Sequence, residues 1–370
     1  MLACLPRPSA AVALVVGALL LAASPSVPAA AASSSVAAVS QPLAHPARAG
    51  AGYLARQLAD AESSGDGILT SGGYGQVGET IDAELSLAAA KVAAGQQAST
   101  LAALKPQVGS YVSYRGTYYA GSLAKMMIVV QAEGQNPNTF GSVPLLRKLR
   151  AMRCTAVAKP AGCTKADIGL YKSYDPHGTG NAYNSTIYQS LALIALSRTP
   201  KSPAGSAVSW LAGQQCTDGG FQTAIRSASA ACTSEDVDTT SYAAQALAAT
   251  GATAAAHRAA AYVAGAQRSN GSLASASGRA SANSTALAAQ AFLAVGGSYR
   301  ADASSARSYL VSEQSGCSAA PAKRGAVAAP ADGDATFASS QAVQALAGTP
   351  LADIRGSGSR SYVPRVGCGS

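Results

Sequence analysis

The sequence predicts an all-α protein, a six-fold α/α toroid built from helix-pair repeats. Two recurring patterns and a near-absence of strand signals lead to it. In the first pattern an aromatic residue is followed five residues on by Gln, and three further on by Asp or Asn and then Gly. It reads Trp210, Gln215, Asp218, Gly219, and again Tyr262, Gln267, Asn270, Gly271, an offset of 52 residues. The aromatic and Gln recur as Tyr309 and Gln314, and Tyr53, Leu54 and Gln57 form a looser copy. In the second pattern Asp or Asn and two small polar residues open an apolar run. Asn184, Asp238, Asn283 and Asp334 start four such runs, and residues 80–91 and 122–134 are two more. The runs from Asp238, Asn283 and Asp334 each carry a Gln seven residues on: Gln245, Gln290 and Gln341. Periods of this length mean stacked supersecondary units.

Taken in order, the chain starts with a secretion signal. Arg7 is the lone charge before Arg48, residues 10–23 are apolar apart from Gly17, Pro25 and Pro28 follow, and residues 29–32 offer a small-residue cleavage site. A charged start, a short apolar core and a small-residue exit are the parts of a signal peptide, so residues 1–32 are expected to be removed and the protein secreted. Residues 33–49 read as a flexible segment, 50–352 as the toroid, and 353–370 as a tail tied by a disulfide. Within a unit, the Gly-bearing pattern reads as an outer helix ending in a turn, because Gly accepts positive φ. The Asp or Asn of the second pattern reads as the N-cap of an inner helix, its side-chain oxygen accepting an unpaired amide of the first turn. Alanine, which fills these runs, has the best intrinsic helix propensity. Runs such as A-A-Q-A-L-A-A and A-A-Q-A-F-L-A are apolar nearly all round, as a helix buried on most faces must be. Cys154, Cys163, Cys216, Cys232, Cys317 and Cys368 survive cleavage, an even number that in an exported chain argues for three disulfides. Pairing neighbours (154 with 163, 216 with 232, 317 with 368) closes the shortest loops.

The units resemble those of the terpenoid-cyclase and protein-prenyltransferase superfamily, over residues 50–352. Q-C-T-D-G-G-F, Gln215 to Phe221, resembles the Q-x-x-D-G-x-W repeat of squalene–hopene-type cyclases, with Phe221 in place of Trp. V-D-T-T-S-Y-A-A-Q-A-L, Val237 to Leu247, is similar to the inner-helix starts of those cyclases and of transcobalamin-type carriers. The resemblance implies the toroid; it leaves the activity to be argued from the site.

Each chemistry of that fold can be set against the residues. Such cyclases protonate their substrate from a D-x-D-D motif; here Glu235-Asp236-Val237-Asp238-Thr239 stands in that place, and Thr239 replaces the last acid. Asp236 and Asp238 are the candidate acids, since one carboxylate raises its neighbour's pKa. The repeat instead places Asp238 with Asn184, Asn283 and Asp334, which favours capping. A polyene cyclase also needs aromatic faces for its carbocations, and the chain has one Trp, four Phe and fifteen Tyr. Zinc of the prenyltransferase kind is not expected, because His45, His177 and His257 show no ligand spacing. A thioester motif and a Gly-x-Ser-x-Gly elbow are both missing from the sequence. A glycan-active enzyme would need two facing carboxylates. Asp66, Glu79, Asp82 and Glu84 cluster at the first inner helix, where a solvated face and capping neighbours account for them.

Eight of the fifteen tyrosines fall between residues 111 and 188. Most lie in linkers expected to gather at one end of the ring, and they predict a Tyr-rich mouth. Tyr111, Tyr114, Tyr118, Tyr119, Tyr174 and Tyr183, with Arg115 and with Phe221 at the cyclase-like turn, are the expected ligand contacts. The expectation is therefore a secreted binding or cell-surface protein, without catalysis, cofactor or metal, and a monomer. Its ligand would be small and apolar or amphipathic, or a cell-wall polymer. A net charge of +9 favours anionic partners, but the basic residues are scattered and export removes nucleic acid. The alternatives are a divergent terpene cyclase with Asp238 as its acid, and a glycan-active (α/α)6 enzyme.

Overall fold

The computed structural model describes residues 43–368 apart from 176, 178–181 and 228–229; the expected signal peptide lies outside the described residues. Among them are twelve α-helices in six outer–inner pairs. The outer helices are α1 (Pro46–Ser64), α3 (Ala94–Val112), α5 (Leu145–Ala151), α7 (Gly205–Gly213), α9 (Thr253–Ala266) and α11 (Arg300–Ser312). The inner helices are α2 (Val77–Ala90), α4 (Ala120–Ala132), α6 (Thr186–Ser197), α8 (Val237–Ala249), α10 (Ala282–Val295) and α12 (Ala335–Leu346). Each inner helix packs on the next, and α12 packs back on α2, with α1 against both. The ring is closed. Residues 46–49, expected to be flexible, form the first turn of α1, and Ala49 is buried there. Pro46 at the first helical position fixes that start, since its missing N–H would be unpaired anyway.

The inner helices stay together because small side chains let their backbones approach. In α8 and α10, Ala243, Ala244, Ala246, Ala286, Ala288 and Ala289 have no exposed surface. The outer ring is stitched by the repeated Gln. The Gln215 amide donates to Gly219 O at 3.0 Å, closing its own turn, and to Ala255 O of the next outer helix at 2.9 Å. Gln267 does the same with Gly271 O and Asp302 O, 3.1 and 3.0 Å. Gln314 bonds Gly325 O and Pro46 O, 3.0 and 2.9 Å, and so joins the last outer turn to the first outer helix.

Capping departs from expectation at three of four inner helices. The caps are Ser185, Asp236 and Ser281, whose oxygens accept from the amides of Tyr188, Thr239 and Ser284; Asp334 alone caps as expected. Asp238 and Asn283 sit two residues inside the helix, and Asn184 precedes its cap. The frame shift also moves Gln341 out of register with Gln245 and Gln290. Hydroxyl caps at 185 and 281 satisfy the same donors as a carboxylate would, so the sequence pattern marked the helix starts but not the capping atoms.

The outer-to-inner linkers collect at the N-terminal ends of the inner helices. Three contain two-residue hairpins: β1 (Thr70–Ser71) with β2 (Tyr74–Gly75), β3 (Ser113–Tyr114) with β4 (Thr117–Tyr118), and β5 (Leu273–Ala274) with β6 (Ala280–Ser281). Arg115 and Gly116 join β3 to β4 at φ of 48° and 82°, as a two-residue hairpin turn requires. Disulfides join Cys154 to Cys163, Cys216 to Cys232 and Cys317 to Cys368, which is the neighbour pairing. No helix among the described residues is long and apolar enough to cross a membrane.

Candidate functional site

The first turns of the inner helices gather a group of partly covered polar side chains, called the recess below. Its floor is an ion pair: Lys125 Nζ of α4 lies 2.7 Å from Asp82 Oδ2 of α2, and the two side chains keep 20% and 7% of their surface. Burial pulls the Lys125 amine down, but the Asp82 carboxylate, with the Tyr111 and Tyr242 phenols, more than offsets this and holds its pKa above the ordinary value. Burial raises the Asp82 carboxyl against the pull of Lys125 and of a hydrogen bond from Gln341. Gln341 in turn accepts from Asn283 Nδ2 at 2.6 Å. Polar side chains of α4, α2, α12 and α10 thus meet around this pair.

Four more groups face this floor. Glu79, in the first turn of α2, is half-buried beside Asp334 and Asp82, and burial followed by those charges raises its carboxyl to about 7. Asp238, in the first turn of α8, is raised to about 6 by burial, with Asp236 and Asp332 adding and a Ser284 hydrogen bond opposing. Its Oδ1 is buried without a hydrogen-bond partner. Tyr111 at the end of α3 is pushed up to about 12, mainly by burial, and Tyr242 of α8 is raised by burial, with Asp82 and Asp238 adding. A Cβ built on Gly78 would stand 3.4 Å from Tyr111 Oη and 3.8 Å from Lys125 Nζ. The absence of a side chain there keeps the α2 edge of the recess open.

Of the expected ligand contacts, the structure brings Tyr111, Tyr119 and Tyr183 to this end of the ring. Tyr188 joins them: its ring meets that of Tyr183 edge-on at 5.2 Å and lies directly on Gly121, where a Cβ would fall inside the ring. Tyr118 and Tyr119 alternate across the end of β4, so Tyr118 turns away from the recess. It lines a side pocket of about 270 Å³ with Tyr174, Lys148 and Lys172. There Lys148 Nζ stands 3.7 Å from the Tyr118 ring centroid, and Lys172 pairs with Asp167 at 2.7 Å. Tyr114 is exposed at the hairpin tip under the Arg115 guanidinium, 5.1 Å from its ring centroid. Phe221 is a correction: it has no exposed surface and belongs to the hydrophobic core, because a ring in the turn position is drawn inward against α8. Its amide is fixed by the Thr240 hydroxyl at 2.9 Å.

The candidate acids part company. Asp236 is occupied, accepting from the Thr239 amide at 2.8 Å and the Thr223 hydroxyl at 3.0 Å. Asp238 is not a cap, and its carboxyl faces the recess. The acids of the first inner helix are not a solvated face either. Asp82 and Glu84 are buried; Glu84 points the other way, its oxygens buried without partners. Sequence reasoning missed Lys125 and Tyr242 altogether. The signal was available: Lys125 is the single charge in A-G-S-L-A-K-M-M-I-V-V-Q-A, and Tyr242 the single phenol in an Ala-rich run. Among the described residues, the grouping with metal-ligand spacing is Cys216, Cys232 and Glu235, and its sulfurs are joined to each other.

No family model and no curated protein matches the chain. Solved structures do. The chain is similar to an unsaturated glucuronyl hydrolase specific for heparin (12% identity, TM-score 0.58, covering 81% of this chain and 95% of that one). It is also similar to the type II terpene cyclase MstE from Scytonema (15% identity, TM-score 0.54, covering 80% and 96%). The chain has their α/α toroid fold. It also spans 50% of the length of ent-copalyl diphosphate synthase from Streptomyces platensis (19% identity, TM-score 0.47). At these identities the likeness is one of fold, and both cyclases and glycan hydrolases share the toroid, so the chemistry of the recess has to choose between them.

Proposed function

We propose that the protein is exported and binds a hydroxyl-rich ligand of saccharide type in the recess at the N-terminal ends of its inner helices. The observation that carries this is the floor: an ion pair, two carboxyls, two phenols and two amides converge where a polyene cyclase would need an apolar aromatic lining. Hydroxyl-rich ligands exchange hydrogen bonds with water for hydrogen bonds with such groups and stack an apolar ring face on tyrosine. The three disulfides suit an oxidising compartment, in keeping with the signal-like start of the chain.

A second reading rests on the two carboxyls raised towards neutrality. Glu79 and Asp238 could exchange protons with a bound sugar, since pairs of acids with displaced pKa values are what glycoside hydrolysis uses. Isothermal titration with matched oligosaccharides and with a C30 polyene separates the readings. Saturable sugar binding, weakened about tenfold (about 1.4 kcal/mol) in Tyr242→Phe, is expected. Reducing-end release that disappears in Glu79→Gln would add turnover. Cyclisation of the polyene, or no sugar bound at all, overturns the proposal.

A further inference from the structure

The recess has two unlike walls. Around the ring order α8, α10, α12, α2, six acids stand at the helix starts: Asp236 and Asp238 on α8, Asp332 bonded to Ser281 and Ala282 at the start of α10, Asp334 on α12, and Glu79 and Asp82 on α2. The remaining arc, α4 and α6, carries Tyr119 and Tyr188 at its helix starts, with Tyr183 in the linker before α6. Lys125 is the cation that meets the acids, and it is already committed to Asp82.

Acids at helix N-termini partly answer the helix dipole. Each N-terminus carries about half a positive charge, so the four helices of the acidic arc supply roughly two. Six carboxyls, Glu79 and Asp238 among them raised towards neutrality, still outweigh the Lys125 charge and these dipoles, on a chain whose net charge is +9. The field of the mouth therefore opposes that of the whole protein. Two side chains also stand ready for a ligand: those of Glu79 and Tyr242 make no hydrogen bond among the described residues, although Tyr242 is set among Asp82, Lys125, Asp238 and Tyr111. The buried Oδ1 of Asp238 is likewise unpartnered.

We infer that the recess selects saccharides bearing a free amine, an ammonium seated on the Glu79–Asp238 side and the sugar ring against the Tyr119–Tyr188 side. The inference rests on the saccharide reading and sharpens it: the overall basic charge pointed to anionic partners, whereas the mouth selects cations. An ammonium donates to carboxylate and phenol oxygens at once, and the charge-assisted bonds it makes are about twice as strong as neutral ones.

The test is titration of the full mature protein with a glucosamine trimer, its fully N-acetylated counterpart and a uronate trimer, at pH 7.5 in low and moderate salt. The free-amine trimer should bind at least about tenfold more tightly than the acetylated one, and the preference should shrink as salt rises. Glu79→Gln and Asp238→Asn should each reduce the ratio of free-amine to acetylated affinity several-fold, and an unchanged ratio in both overturns the inference. Equal affinities for the first two, or tighter binding of the uronate, overturn the inference and leave the saccharide reading standing. No binding by any trimer overturns the saccharide reading itself. Because the comparison is made first on the unsubstituted protein, a misfolded variant cannot stand in for either result.

Discussion

Lys125→Met tests the floor of the recess directly. In the folded protein the ammonium and the Asp82 carboxylate are 2.7 Å apart and almost fully covered. Removing the cation leaves Asp82 among Tyr111, Tyr242 and Gln341, in a place burial already makes hostile to charge. Breaking a buried pair from one side costs about 3–5 kcal/mol. The surface that Lys125 retains, 20%, sets the expectation at the lower end, about 3 kcal/mol, or roughly a hundredfold in the folding equilibrium. Asp82 can escape by taking up a proton, so the cost should be smaller at pH 5 than at pH 8. Asp82→Asn/Lys125→Met removes both charges, and should recover most of the loss, because a matched neutral pair of similar volume can replace a buried salt bridge with little change. Urea unfolding with the disulfides intact, read by circular dichroism at both pH values, gives the four corners of the cycle. A single substitution that costs under about 1 kcal/mol, or a double that is no better than the single, would refute the placement of a desolvated ion pair there.

Three further outcomes follow from other contacts. Gly121→Ala drives a methyl into the Tyr188 ring; it should cost about 1–3 kcal/mol and lower saccharide affinity through the displaced ring, whereas Gly95→Ala, with nothing near its Cβ position, should do neither. Gln314→Ala strips a buried carbonyl, Gly325 O, and a half-buried one, Pro46 O, of their Gln314 donor, and should cost about 1–3 kcal/mol while raising amide exchange in α1 above that in α9. The pH dependence has a definite sign. Glu79 rises from 4.5 to about 7, with Asp334 and Asp82 against it and Lys125 favouring its charge, and Asp238 rises from 3.8 to about 6 beside Asp236 and Asp332. The folded state therefore binds more protons, so their contribution to stability is full below about pH 4 and lost as pH climbs through 6–7; Glu79→Gln and Asp238→Asn should flatten that slope in thermal melts, and an unchanged slope would contradict the burial of both carboxyls.

The ring was legible because it is written in local terms. Gln215, Gln267 and Gln314 repeat because each closes a turn and clasps the next outer helix, and a clasp with one geometry needs one residue. Two disulfides were legible because Cys154 and Cys163, and Cys216 and Cys232, close short loops of 9 and 16 residues; Cys317 and Cys368, 51 residues apart, are the two that remain. The recess was not, because its members come from different units: Lys125 answers Asp82 from 43 positions away in the chain, and no periodicity reports such a pairing. Capping misled for a related reason. Asp238 and Asp334 occupy the same place in the sequence pattern, but Asp236 supplies the cap of α8, which leaves Asp238 free to face inward. Tyr118 and Tyr119 show the finer limit, since neighbours on an extended segment point opposite ways and the segment's register decides which one turns toward the recess.

The two ends of the ring are made for different tasks, and this bears on where a ligand can enter. At the C-terminal ends of the inner helices the chain's own tail crosses the opening. Arg198, just past α6, donates to the carbonyls of Leu351, Ala352 and Ile354 at 3.0, 2.7 and 2.6 Å. Lys91, just past α2, holds those of Arg355 and Ser357. Gly356 N bonds Ala132 O at the end of α4, and Gln245 of α8 accepts the Leu351 amide at 3.1 Å. Ile354 is thereby sunk into the core with no exposed surface. Cations at helix C-termini suit the dipole, and here they also fasten the strap that closes that end. The opposite end keeps its carboxyls and phenols partly uncovered within the folded ring. A protein needing only a stable toroid would gain by burying apolar side chains at both ends; keeping polar groups at one end, two of them without side-chain partners among the described residues, costs stability, a cost that the proposed saccharide site would offset on binding.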